Sequence, residues 1–140
     1  RALAESRPGI RLIGVDVSSK AVQAARHRAR LANIPMTVLQ ADAAESGAQL
    51  RAIGVRAIDA LVVAETLYYL GGEARVRLAL AGLEGLLSPG AAVVMLHPSD
   101  EADGLHAAAM HATGAHLQAR SRIDDPLRPY TIDVARVPTR

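Results

Sequence analysis

The sequence contains no cysteine, no phenylalanine and no tryptophan. Without cysteine it has no disulfide and no thiolate metal centre. Without the two large aromatics its core must be aliphatic. Lys20 is the single lysine, so nearly all the basic charge is arginine. No apolar run approaches the ~20 residues that a membrane helix needs, and no signal-peptide pattern is present. The expectation is a cytoplasmic protein that works away from membranes. Aromatic residues make up only 2% of the chain. None is interleaved with Arg26, Arg28 and Arg30, the only local basic group. That group therefore reads as a solvated helix face and not as a nucleic-acid contact. The chain opens on Arg1 without an initiator methionine, and truncation is the expected reason.

What is present suffices for one domain. The chain has 140 residues, half of them hydrophobic, which is enough for a sizeable core and too few for two domains. Strand-like and helix-like segments alternate nearly to the end, the mark of a mostly parallel sheet covered by helices. Residues 1–6 read as the tail of a helix that Pro8-Gly9 breaks. Residues 10–17 form an apolar run ending in Asp16, a buried strand. Ser18 or Ser19 caps a helix that runs to about Ala32, with Val22, Ala25, Ala29 and Ala32 as its buried stripe. Strands follow at residues 36–40 and 58–64, with a weak helix over 44–53 between them. In the second, Leu61-Val62-Val63 suits a strand buried on both faces. A helix over 73–87 carries Val76, Leu80, Leu83 and Leu87, weakened by Gly82 and Gly85. Ser88-Pro89-Gly90 is a turn, residues 91–96 are a fourth strand, and residues 103–112 are helical. The last quarter differs. Residues 115–123 and 130–137 both read as strands, and only Asp124 to Pro129 separate them. That gap is too short for a parallel crossover, so the pair must be an antiparallel hairpin.

Several residues sit where chemistry is expected. Asp16 ends the first parallel strand, where a carboxylate can accept from both hydroxyls of a ribose; it can equally cap the following helix. Asp42, with the backbone of Ala43, can receive an exocyclic adenine amine or can serve as a loop cap. Glu65, Tyr68 and Tyr69 follow the third strand. Ligands of open parallel sheets bind outside the carboxyl ends of the strands, which places these three at the correct end. His97 ends the fourth strand on the same rim. It is the candidate catalytic group, able to accept a proton from an amine or hydroxyl, or else a residue that only lines the pocket. His106 and His111 are five apart, so they do not share a helical face as metal ligands would. No metal site is expected.

Taken in order, Gly14-Val15-Asp16-Val17-Ser18, Ala41-Asp42-Ala43, Asp59 to Leu70 and Leu87-Ser88-Pro89-Gly90 resemble the motifs that follow the glycine loop in class I S-adenosylmethionine-dependent methyltransferases. The stretch Val63-Ala64-Glu65-Thr66-Leu67-Tyr68-Tyr69-Leu70 is similar to the nodulation protein S family, which N-methylates an amino sugar. The resemblance covers essentially the whole chain. It implies a Rossmann-like α/β sheet, mostly parallel, with a C-terminal antiparallel hairpin. It also implies S-adenosyl-L-methionine as cofactor, held by Asp16, Val17, Asp42, Ala43 and Glu65. Tyr68 and Tyr69 would face a small-molecule or saccharide methyl acceptor, the N- or O-methylation substrate. A nicotinamide-dependent oxidoreductase and a non-catalytic methyltransferase-like module are the alternatives. The family's first strand and glycine loop are expected to lie before Arg1. On that reading the 140 residues are a single partial domain whose sheet lacks the strand between residues 10–17 and residues 58–64. Such a chain is expected to fold poorly on its own.

Overall fold

The computed structural model describes residues 9–139; the helix expected over residues 1–6 lies outside them. Strand β1 (Leu12–Asp16) leads to helix α1 (Ser19–Leu31), and strand β2 (Met36–Gln40) follows. The Ser18 side chain accepts from the Ala21 amide and opens α1, satisfying one of the four amides that a helix start leaves free. Val22 and Ala29 from the expected stripe are buried. A 3-10 turn (Ala43–Glu45) runs into helix α2 (Ser46–Ala52). Strand β3 (Ile58–Ala64) then leads through a second 3-10 turn (Leu67–Leu70) to helix α3 (Glu73–Ala81). Strand β4 (Leu87–Pro98), helix α4 (Ser99–Thr113) and strands β5 (His116–Ile123) and β6 (Tyr130–Arg136) complete the order.

The sequence suggested a single sheet, but the strands form two. Strands β1 and β2 pair in parallel by themselves, and a second sheet has the order β3-β4-β6-β5. In it β3 runs parallel to β4, β4 antiparallel to β6, and β5 antiparallel to β6. The expected C-terminal hairpin is therefore present at an edge. Among the described residues no strand bridges β1 and β3, and the sheet is divided at that place. Burial differs from the expectation as well. Every residue of β1 is at least part-exposed. In β3, Val63 is buried while Val62 is 58% exposed, so β3 is covered on one face and not on both.

The core lies on the covered face of the larger sheet. Val63, Val93 and Met95 from the strands meet Val76, Leu80 and Leu83 from α3 and its C-terminal turn, and Leu105, Ala108 and Ala109 from α4. Helix α3 stops at Ala81, six residues before the expected end; the chain goes on in tighter turns, the Leu83 and Glu84 amides donating to the Leu80 and Ala81 carbonyls, and Gly85 at φ 74° bars any further helix. The expected turn at Ser88-Pro89-Gly90 lies within β4 as an irregularity: Ile58 pairs with Leu87, but Ala60 pairs with Ala92. Helix α4 starts four residues earlier than the sequence suggested. Pro98 precedes it at φ −52°, and Asp100 and Glu101 favour its positive N-terminal end. In β6 the deeply buried face carries Thr131, Asp133 and Ala135, while Tyr130, Ile132 and Val134 are only half-buried.

Candidate active site

The C-terminal ends of the parallel strands form two rims, one on each sheet. On the smaller sheet the Ala41 amide donates to the Asp16 carbonyl at 3.1 Å, tying the end of β1 to the end of β2. The Asp16 carboxylate accepts from the Ser18 amide at 2.8 Å. That of Asp42 accepts from the Ala44 amide at 2.9 Å. Both are exposed and engage one oxygen locally, so each carboxylate keeps an oxygen for a ligand. The capping and the ligand readings thus coexist geometrically. Val17 is exposed and Ala43 half-buried on the same rim.

On the larger sheet the Glu65 amide donates to the Leu96 carbonyl at 3.0 Å, placing Glu65 beside the end of β4. Glu65 has φ 54°, a left-handed conformation that is strained for a residue with a side chain. The Tyr68 hydroxyl donates to Glu65 Oε2 at 2.9 Å. Glu65 Oε1 is buried and has no hydrogen-bond partner among the described residues. Hydrogen bonding with Tyr69 and Glu65, together with burial, raises the Tyr68 phenol above its ordinary 10. Tyr69 itself is largely exposed, its ring 4.3 Å from that of Tyr68.

His97 is fully buried behind this turn. Its Nε2 accepts from the amides of Leu67 at 3.1 Å and Thr66 at 3.2 Å. Its Nδ1 lies 2.9 Å from His106 Nε2, and His106 Nδ1 lies 2.9 Å from Asp133 Oδ2. Arg120 closes the chain with two bonds of 2.7 Å to Asp133 and a third to Asp103. Sequence spacing puts His97 on the rim; His106, Asp133 and Arg120 behind it are joined only by the fold. A buried aspartate in an alternating strand was the available signal, and 27 residues separate its histidine partner. As a proton acceptor His97 is at odds with this geometry, since both ring nitrogens are engaged within the protein.

Burial, and then the neighbouring His106, pull the His97 imidazole from 6.5 down to about 4. The unfolded chain therefore binds a proton between pH 6.5 and 4 that the folded chain does not. Stability is expected to fall as pH drops through this window, by roughly 3 kcal/mol in total. Denaturant unfolding at a series of pH values checks this; equal stability at pH 7 and pH 4.5 would be the contrary result. Below this window the Asp133 carboxyl adds to the loss. Its bonds to Arg120 and His106 hold it below its ordinary 3.8, although burial opposes them.

The sequence profile of the methyltransferase-domain family matches residues 1–95. The chain belongs to that family. Its fold is the Rossmann-like fold of class I S-adenosylmethionine-dependent methyltransferases, and solved structures agree. The methyltransferase domain is similar to the N-methyltransferase NodS from Bradyrhizobium japonicum WM9, with TM-score 0.72 and 20% identity over 91% of this chain and 74% of that one. NodS in complex with S-adenosyl-l-homocysteine matches with TM-score 0.72 and 20% identity, over 91% of this chain and 67% of that one. The cyclase SpnF matches with TM-score 0.69 and 16% identity, over 99% of this chain and 70% of that one. At these identities the likeness is one of fold, and a cyclase among the matches shows that fold does not dictate reaction. No curated protein matches the sequence.

A surface groove of about 800 Å³ runs between α1 and β2 along Gln23, Arg26, Ile34 and Met36. It is not at either rim. The rims instead offer carboxylates with free or unpartnered oxygens, Asp16, Asp42 and Glu65. A ligand with ribose hydroxyls, an adenine amine and a positively charged sulfonium supplies the complementary donors and charge, so the residues fit S-adenosylmethionine. Among the described residues no helix is long and apolar enough to cross a membrane, and no cluster of acidic and histidine side chains has metal-site geometry.

Proposed function

We propose that this methyltransferase domain belongs to a cytoplasmic enzyme that transfers the methyl group of S-adenosylmethionine to nitrogen or oxygen of a small molecule or saccharide. The family match carries the reaction class. The three strand-end carboxylates support the cofactor assignment. Asp16 accepts from the ribose hydroxyls beside Val17, Asp42 accepts from the adenine amine beside the Ala43 backbone, and Glu65 lies near the charged end of the ligand. The cofactor supplies an electrophilic methyl group on a sulfonium. The chain's own task is to align the acceptor with that methyl, and alignment alone can supply much of the rate. Tyr68 and Tyr69 form the wall nearest the acceptor. An amine acceptor has specific support: the buried, unpartnered Glu65 Oε1 suits an N–H donor.

Titration of the chain with S-adenosylhomocysteine in a calorimeter tests the assignment. Asp16→Ala is expected to weaken binding by roughly 1–3 kcal/mol, the scale of a hydrogen bond to a charged acceptor. Unchanged affinity in that variant would remove Asp16 from the site. Binding of a nicotinamide dinucleotide in place of S-adenosylhomocysteine would overturn the reading. The non-catalytic alternative has one observation in its favour, the open division between β1 and β3, and it predicts binding of neither ligand.

A further inference from the structure

We propose that His97 is a positioning residue: its Nε2 lone pair holds the amides of Thr66 and Leu67, and the His106–Asp133–Arg120 chain behind it fixes the ring, so that Glu65 and Tyr68 are set at the rim. The geometry determines the tautomers. A backbone N–H can only donate, so Nε2 of His97 carries no proton. The His97 proton sits on Nδ1 and is donated to His106 Nε2, which leaves the His106 proton on Nδ1, facing Asp133. Asp133 then accepts from His106 and from Arg120 and is a carboxylate. Each histidine N–H in the chain meets an acceptor.

This arrangement leaves His97 no lone pair for a substrate proton. It spends its acceptor on the turn that follows β3, where strain must be held. Glu65 sits at positive φ immediately before the two clasped amides, and strained backbone persists only where its surroundings over-determine it. The ring is braced from several elements. His106 faces it from α4 with ring centroids 5.1 Å apart, and Tyr68 meets it edge-on at 6.0 Å. Asp133 from β6 and Arg120 from β5 lie behind His106. Arg120 also bonds the exposed Asp103. The chain therefore runs from the protein surface through the core to the rim. Its significance rests on the proposed methyltransferase site, since only that reading makes the orientation of Glu65 and Tyr68 matter.

The test uses the whole chain, labelled with ¹⁵N at histidine and ¹³C at tyrosine. Wild-type spectra at pH 8 are expected to show His97 and His106 protonated at Nδ1 and not at Nε2, with the His97 signals unchanged down to pH 5. A proton on Nε2 of His97, or titration of His97 near 6.5, would overturn the proposal. His97→Gln keeps an acceptor oxygen near the place of Nε2, whereas His97→Leu keeps none. The Tyr68 phenol is expected to stay raised in H97Q and to fall back towards 10 in H97L. Affinity for S-adenosylhomocysteine is expected to drop about tenfold in H97L and to stay within about threefold of wild type in H97Q, one lost hydrogen bond being worth about a factor of ten. Equal loss in both variants, or no change in either, counts against the positioning role. The tautomer measurement needs only wild-type protein, so it decides even where H97L does not fold. Wild-type protein that shows these tautomers but binds no S-adenosylhomocysteine would overturn the cofactor assignment and leave the hydrogen-bonded chain standing.

Discussion

Asp133→Ala is expected to cost roughly 3 kcal/mol of stability, a fall in Tm on the order of 10 °C for a domain of this size. Asp133 is fully buried and accepts from two partners, His106 and Arg120. Removing it leaves the buried His106 N–H without an acceptor, and an unsatisfied buried donor costs its full desolvation. Arg120 suffers less, because it is 43% exposed and keeps Asp103. That partial exposure sets the estimate at the low end of what breaking a buried charged pair costs. Asp103→Ala is the internal control. Asp103 is 83% exposed, and a surface ion pair contributes at most about 1 kcal/mol. Thermal melts of both variants beside the wild type make the comparison. Equal losses from the two substitutions would show that the buried segment is not where the stability resides.

Gly47→Ala is expected to be nearly as damaging, at about 3 kcal/mol or more. Gly47 lies in the first turn of α2 and is buried against Gly82, the residue that ends α3. An added Cβ would overlap the Gly82 carbonyl, which is backbone and cannot swing aside. Arg51 also anchors this contact, bonding the carbonyls of Gly82 and Glu84. The overlap must push α2 away from α3, and the preceding turn carries Asp42 and Ala43. Reduced S-adenosylhomocysteine affinity should therefore accompany the lower Tm. Gly54→Ala is the comparison, since nothing lies within 4 Å of an added Cβ there. It costs only what its φ of 79° imposes. Retention of wild-type stability by Gly47→Ala would mean that α2 and α3 are not packed this closely.

Much of this architecture was legible along the chain. Residues 36–40 and 58–64 are strands at the expected bounds, because short β-branched runs between turn residues signal strands locally. The terminal hairpin followed from the length of Asp124 to Pro129, a purely local constraint. Asp16, Asp42, Glu65 and His97 were placed at strand ends by the same local periodicity. The end of α3 was misjudged, although Gly82 and Gly85 were seen as weak points, because a helix can absorb a glycine unless it adopts positive φ.

By itself, then, the sequence determined the α/β alternation, the strand ends and the family, all of which are encoded in short-range patterns of polarity and spacing. The tertiary structure alone decided three other matters. The sheet is divided between β1 and β3, since pairing depends on which strand is available as a neighbour and not on a strand's own residues. The buried face of β6 is the one bearing Asp133, where His106 and Arg120 from other elements bond its carboxylate. And His97, which ends its strand exactly as a rim residue should, turns its ring inward to His106 and the amides of Thr66 and Leu67. These are contacts between residues 9 to 31 positions apart, whose energies exist only once the chain has folded.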